Sequence, residues 1–241
     1  MKILITAGGT SEYIDTVRKI TNSGSGKLGS IIANKYLEDS NVEELFYVCS
    51  KKAYRPKEDF RVKIIEADKT IDVYDSVKRT LINNKIDIVI HSMAISDYMV
   101  DYVSTSQMLS EDVQNNDALG ELRCPKNKLD NSAKISSYQD DLIIRLVKTP
   151  KIIGKIKEWA PHTILVGFKL LSGVSKNELI SVACGLMKKN ACDIVIANDL
   201  TEISRDKHKA LIIVGDETIY IAETKDAIAE KTVLLTQNKI S

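Results

Sequence analysis

The sequence predicts a doubly wound, mostly parallel, Rossmann-like α/β sheet with a long flap and a C-terminal β-hairpin, and three observations carry that prediction. Short β-branched runs recur without polar alternation, amphipathic stretches at helical spacing separate them, and glycine-rich turns follow the first run. Continuous apolar strands are those buried on both faces, as in a parallel sheet covered by helices on either side. At 241 residues and 44% hydrophobic composition, the chain can bury one sizeable core. Residues 1–241 are therefore read as a single domain.

Taken in order, residues 2–7 form the first buried strand, and apolar residues at helical spacing predict a helix over 28–37. Strands follow at 44–49 and 62–66, then a helix over 70–83 and a strand over 86–92. Residues 99–137 break the rhythm: they are polar, rich in Asn, Asp and Ser, and hold no convincing long periodic element. A connection that long inside a compact domain is a functional arm or lid, and it is read as a flap. Thr149-Pro150 supplies an N-cap followed by proline at the first helical position, so a helix is predicted over 150–159. A strand at 163–168, a helix at 176–189 and a strand at 193–197 complete the alternation. Runs at 209–214 and 218–222 flank Gly215-Asp216-Glu217 and predict a β-hairpin, after which Thr224 caps a last helix.

Lys and Arg number 34 against 33 Asp and Glu, a formal charge of +1. No global field recommends nucleic acid or an anionic membrane as partner, so polyanion recognition has to be local. Cys49, Cys124, Cys184 and Cys192 form no CxxC pair and no zinc-finger spacing, and they are read as reduced, mostly buried thiols. Met1 opens directly into a strand, and no apolar run approaches the roughly 20 residues of a membrane span. The expected location is the cytoplasm.

Ala7-Gly8-Gly9-Thr10-Ser11 lets the backbone turn sharply at the end of the first strand and expose amides where open α/β sheets bind ligands. Gly24-Ser25-Gly26-Lys27-Leu28-Gly29 matches GxGxxG, but the dinucleotide fingerprint requires its first glycine immediately after a strand, which ended near Ala7. Nor is it a P-loop, since Thr21 stands where that motif has its first glycine and Leu28 follows Lys27. The physical feature that remains is a Ser/Gly turn with a lysine at the mouth of a helix, an anion-holding arrangement built of Ser25, Gly26 and Lys27. Between the two turns, Asp15, Arg18 and Asn22 make a polar wall in which Arg18 pairs with Asp15 or with a ligand carboxylate.

The order of these segments is specific. Residues 5–22 and the Ser/Gly turn are followed by Ser92-Met93-Ala94-Ile95-Ser96-Asp97-Tyr98, Ala133-Lys134-Ile135-Ser136-Ser137, Lys148-Thr149-Pro150-Lys151-Ile152-Ile153, Val166-Gly167-Phe168-Lys169-Leu170 and 193–200. This series resembles the phosphopantothenate–cysteine ligases of coenzyme A synthesis over nearly the whole chain, in their free-standing bacterial form. The resemblance implies that a nucleotide, CTP ahead of ATP, activates the carboxylate of 4′-phosphopantothenate as an acyl-nucleotide with loss of pyrophosphate. Cysteine's amine then displaces the nucleoside monophosphate. It further implies that Asn22 holds the intermediate, that Lys134 is the flap lysine, and that Asp97 contacts the ribose. Gly8, Gly9, Ser92, Met93, Ala94, Pro150, Lys151, Ile152, Ile153, Phe168 and Lys189 are expected around the nucleotide. Arg18, Asn22, Ser25, Gly26 and Lys27 are expected around phosphopantothenate. Mg²⁺ is expected with the triphosphate, its protein ligands open, and a homodimer is expected, with the hairpin at 209–222 as a pairing edge.

Two departures from the family pattern bear on base choice and on the flap. Leu186 and Asn190 stand where CTP users tend to carry two lysines, and only the first lysine of a Lys-Ile-Lys-Lys run is kept, as Lys134. Two rivals stay open at this point: an NAD-dependent dehydrogenase built on the GxGxxG match, and a regulator that binds CTP without turning it over. His91 lies in an apolar strand and reads as a satisfied core residue, and no role falls to His162 or His208.

Overall fold

The computed structural model describes residues 1–112, 118–204, 207–215 and 218–240. Its first half runs β1 (Lys2–Ala7), β2 (Ser11–Tyr13), β3 (Lys19–Thr21), α1 (Lys27–Leu37), β4 (Glu44–Cys49), β5 (Val62–Glu66), α2 (Thr70–Asn83) and β6 (Ile88–His91). There follow β7 (Tyr98–Ser104), α3 (Ser106–Asp112), α4 (Ala118–Arg123) and β8 (Ile143–Lys148). The rest comprises α5 (Ile153–Trp159), β9 (Ile164–Leu171), α6 (Lys176–Asn190), β10 (Ile194–Asp199), β11 (Ala210–Val214), β12 (Thr218–Ala222) and α7 (Lys225–Gln237).

The central sheet is eight-stranded in the order β12-β11-β10-β9-β6-β1-β4-β5. It is parallel from β5 to β10, and β11 and β12 close one edge antiparallel. The strand periodicity of two sorts its core. Ile3, Ile5, Ile88, Ile90, Val166, Ile194 and Ile196 face Ile32, Ala33 and Tyr36 of α1 and Ile228, Ala229 and Val233 of α7. Their neighbours Leu4, Val89, Leu165 and Val195 face Val73 and Val77 of α2, Ile156 of α5 and Leu179, Ala183 and Met187 of α6. Each such side chain, fully buried, stabilises by roughly 1.5–3 kcal/mol, which is why these runs carry no polar alternation.

Three readings of the sequence change. The stretch read as a flap without a long periodic element over 99–137 opens with β7, which pairs antiparallel with the unforeseen β8 and carries α3 and α4. Val100, Leu146 and Ile144 occupy this separate two-stranded ribbon, where neither face meets the main core, so the long apolar run that marks a buried strand is missing. The helix predicted from 150 begins instead at Ile153. Thr149 does not cap it, because its amide donates to Asp97 O at 3.0 Å and its hydroxyl to Ser96 O at 2.6 Å. Finally, the four cysteines are free thiols, but they are not mostly buried: Cys49 and Cys192 are, Cys184 is half-buried and Cys124, at the end of α4, is exposed.

At the C-terminus the hairpin and the cap are as expected, with Thr224 Oγ1 accepting from Ala227 N at 3.1 Å. Asp216 and Glu217 of the expected turn lie outside the described residues, as do 113–117 of the arm.

Candidate active site

The chain leaves β1 towards β4 and β5 on one side and returns to β6 on the other, so β1 and β6 flank the topological switch point where open α/β sheets form a crevice. Gly8 follows β1 and Ser92 follows β6, and the two strand ends are stitched together. Ala94 N donates to Gly8 O at 2.9 Å, Thr10 N to Ala94 O at 3.0 Å, and Ser92 Oγ to Thr6 O at 2.7 Å.

The β2–β3 ribbon is an insertion between β1 and α1, and it explains why the GxGxxG segment failed the sequence rule. In space the segment lies where a strand-end glycine loop belongs. Asn22 N donates to Thr10 O at 3.0 Å, and a Cβ on Gly9 would sit 1.9 Å from Asn22 O. Gly26 takes a left-handed φ of 74° as the residue before α1, makes no side-chain cap, and no acidic residue stands in the first turn. The positive end of α1 is thus left for an anion.

These loops open onto a cleft of about 470 Å³ that runs across the carboxyl ends of β1, β6, β9 and β10. It gathers Gly8, Ser25, Gly26, Lys27, Ser92, Met93, Ala94, Asp97, Pro150, Lys151, Ile152, Ile153 and Phe168, each of which the sequence reading had assigned to nucleotide or phosphopantothenate. Asp97 and Lys151 form an exposed ion pair at its rim. Among the described residues lining it, Asp97 is the one acid, against Lys27, Lys151, Lys169 and Lys225. A second depression of about 730 Å³ beneath the arm is walled by Glu12, Asp15, Glu66, Asp68 and Asp72. That acidic wall repels a polyanion, whereas the lysines of the first cleft attract one.

Arg18, Asn22, Lys134 and Lys189 do not line the cleft, and Gly9 stands behind Gly8. Lys189 is exposed on the last turn of α6, whose Leu186 reaches the cleft instead. Arg18 makes the first of its two expected pairings, the one with Asp15. Its Nε and Nη2 donate to Asp15 Oδ2 at 2.9 and 2.6 Å, and Nη2 also donates to Ile135 O at 2.8 Å. Ile135 N donates to Asp15 Oδ2 at 3.1 Å. The two side chains therefore grip the backbone of the arm one residue after Lys134. Arg18's guanidinium, with backbone donors, holds the Asp15 carboxyl well below the usual carboxylate range.

Residues to which the sequence assigned no part in the site also face the cleft: Thr149, Lys169, Leu170, Asn198, Ile203, His208 and Lys225. Asn198 stood inside a quoted motif; its Nδ2 donates to Lys209 O at 2.6 Å. Its neighbour Asp199 is structural, accepting from the amides of Gly173 at 3.0 Å, Val174 at 2.8 Å and Thr201 at 2.8 Å.

His91 is the satisfied core residue expected, 3.0 Å from Thr6 Oγ1 through Nδ1, and burial pushes its pKa down to about 4. The folded state thus favours neutral imidazole, whereas the unfolded chain titrates near 6.5. The stability this difference confers is complete above pH 6.5 and is lost as pH falls towards 4, by about 3 kcal/mol. We expect Tm to drop over that window in calorimetric scans, and His91→Gln to flatten the drop; a parallel pH dependence in the variant would contradict the assignment.

A family model described as the DNA/pantothenate metabolism flavoprotein C-terminal domain, DFP, matches residues 1–127 and 125–238. The chain belongs to the DFP family. A DNA/pantothenate metabolism flavoprotein from Streptococcus pneumoniae shares this DFP fold at a TM-score of 0.85 and 36% identity, over 99% of each chain. The coenzyme A biosynthesis bifunctional protein CoaBC of Thermococcus kodakarensis is 31% identical over 95% of this chain and 49% of its own length. That of Methanocaldococcus jannaschii is 27% identical over 96% and 49%. The chain spans about half the length of these curated relatives. The DFP fold recurs, at 17% identity and a TM-score of 0.71, in a Cab2 variant.

Proposed function

We propose that this DFP domain is a ligase that joins 4′-phosphopantothenate to L-cysteine through an acyl-nucleotide, in coenzyme A synthesis. The observation that carries the reading is the lysine-lined cleft at the switch point, which unites the Ser25–Lys27 turn, the 92–97 loop and Phe168. The coenzyme A role of the CoaBC relatives supports it.

In this reading the carboxylate of phosphopantothenate attacks the α-phosphorus of the nucleotide, the bond to the β-phosphate oxygen breaks, and pyrophosphate leaves. Cysteine's amine then attacks the acyl carbon, loses a proton, and expels the nucleoside monophosphate. Gly8 and the 25–27 turn cradle phosphates with amides and the α1 dipole, Phe168 walls the base, and Asp97 accepts from the ribose. Asn22, next to the cleft-lining Ser23, holds the intermediate. Lys134, held on the arm by the Asp15–Arg18 grip, offsets charge on the leaving group as the arm closes. Among the described residues no three His, Cys, Asp or Glu side chains gather to cage a metal. A Mg²⁺ would then be held chiefly by the triphosphate rather than by a protein cage, and it would neutralise the leaving pyrophosphate.

CTP is our preferred nucleotide over ATP, although Leu186 brings an apolar side chain to the place expected for a lysine. The dehydrogenase reading is set aside, because the chain belongs to the DFP family and its CoaBC relatives are coenzyme A biosynthesis proteins. We also read the protein as cytoplasmic; no described helix is long and apolar enough to cross a membrane. A homodimer is part of the proposal. The exposed Ile219 and Ile221 of the edge strand β12, and Tyr98, Ile143 and Leu146 of the β7–β8 ribbon, are the apolar surface it would cover. A monomer mass by light scattering would remove it.

The deciding assay follows pyrophosphate release with Mg²⁺, 4′-phosphopantothenate and cysteine, comparing CTP with ATP. We expect release that requires phosphopantothenate and runs faster with CTP. Release without the acid, or none with either nucleotide, would overturn the ligase.

A further inference from the structure

The cleft has a second cationic end that the mechanism above does not use. α1 and α7 lie side by side on one face of the sheet, with their cores interlocked through Ile32, Ala33, Ile228, Ala229 and Val233. Their direction follows from their contacts. Tyr36 Oη meets Thr236 Oγ1 at 2.6 Å near both C-terminal ends, and Lys35 lies 3.7 Å from Glu230. Lys27 and Lys225, the first residues of the two helices, line the same cleft. The helices therefore run parallel, and both positive ends point the same way, into the crevice.

Packed helices stand about 8–10 Å apart axis to axis, so the two lysines flank a gap that a short chain of linked phosphates can bridge. Beside Lys225, His208 lines the cleft, and its Nδ1 is buried with no hydrogen-bond partner among the described residues. Burial, and secondarily the charge of Lys225, push that imidazole's pKa down to about 4, so it stands neutral. In the Nδ1–H tautomer this buried ring nitrogen is a donor without a partner, which an acceptor oxygen would complete. At α7 the helix end itself contributes less than at α1, because Thr224 caps it and the exposed Asp226 stands in its first turn. The ammonium of Lys225 is the stronger element.

We propose that Lys225, assisted by His208, forms a second phosphate-holding pole opposite Lys27, gripping the far end of a polyphosphate, the part that leaves as pyrophosphate. The inference rests on the nucleotide reading of the cleft. The phosphate held there could belong to the polyphosphate or to the acid substrate, and the test separates them.

Inorganic tripolyphosphate and, in a separate arm, 4′-phosphopantothenate are titrated calorimetrically into wild-type protein and into Lys225→Ala and Lys225→Arg, with thermal melts to verify folding. We expect Lys225→Ala to bind tripolyphosphate about tenfold more weakly, Lys225→Arg to stay within about threefold of wild type, and phosphopantothenate affinity to hold in both. Lys225→Ala binding tripolyphosphate as wild type does would overturn the second pole and leave the nucleotide cleft standing. A loss confined to phosphopantothenate would overturn it too, by assigning Lys225 to the acid. Wild-type protein that binds neither tripolyphosphate nor CTP would sink the pole together with the reading it rests on. If Lys225→Ala does not fold, His208→Asn serves in its place, with a loss of tripolyphosphate affinity expected and an unchanged affinity counting against the pole.

Discussion

Replacing Lys134 by alanine is expected to lower turnover by about 100- to 1,000-fold while CTP still binds, since in the proposed reaction the lysine acts only on charge that develops as pyrophosphate leaves. The side chain is exposed on the arm and lies outside the cleft, so its removal costs the fold little. A smaller loss of the same kind should follow from a change that leaves Lys134 in place. Arg18 and Asp15 hold both the amide and the carbonyl of Ile135, which is itself 4% exposed. Arg18→Lys cannot donate twice to Asp15 and once more to Ile135 from one rigid plane. We expect it to reduce kcat by at least tenfold with the KM for CTP little changed, because it frees the arm without touching the nucleotide cleft. Single-turnover pyrophosphate release measures both variants. Full activity in Lys134→Ala would withdraw the lysine's role, and full activity in Arg18→Lys alone would show that the grip does not position it.

Gly9→Ala is the second large effect expected. A Cβ there would lie 1.9 Å from the carbonyl oxygen of Asn22 and 2.9 Å from its carbonyl carbon. Both are backbone atoms, so no rotamer change relieves the clash; the two loops have to part. Forced overpacking of this kind costs about 1–3 kcal/mol, and here it also displaces the 22–26 turn from the end of β1. We expect the denaturation midpoint to fall accordingly and CTP affinity to drop by about 100-fold, read by denaturant titration and calorimetry. An alanine variant with wild-type midpoint and affinity would mean that the loops have room the structure does not show.

Much of the molecule was legible in the sequence because the signals involved are local. Ile3, Leu4 and Ile5 are buried on opposite faces of one sheet, and a run with apolar residues at every position has no other stable home in an α/β domain. The amphipathic stretches of α2 and α6, the hairpin strands and the Thr224 cap declare themselves within a few residues for the same reason. Motifs quoted from the strand ends also fell into one cleft, since a parallel sheet delivers all its strand ends to one edge.

What the tertiary structure decided concerns contacts between segments distant in the chain. Thr149 looked like a helix cap by its neighbours, yet Ser96 and Asp97 claim its hydroxyl and amide from across the crevice. The pairing of Arg18 with Asp15 was legible from their spacing, but nothing local announced that Ile135, 117 positions away, also accepts from its guanidinium. The β7–β8 ribbon has no buried face against the main core, so no long apolar run announced it. Lys225 and His208 carried no motif, and only the parallel packing of α7 against α1 brought them to the cleft that holds Lys27. Secondary structure follows from side-chain periodicity along a few turns or pleats, which the sequence by itself determines. Which polar groups meet depends on how the sheet orders its strands and where their ends converge, and that is fixed only when the whole core packs.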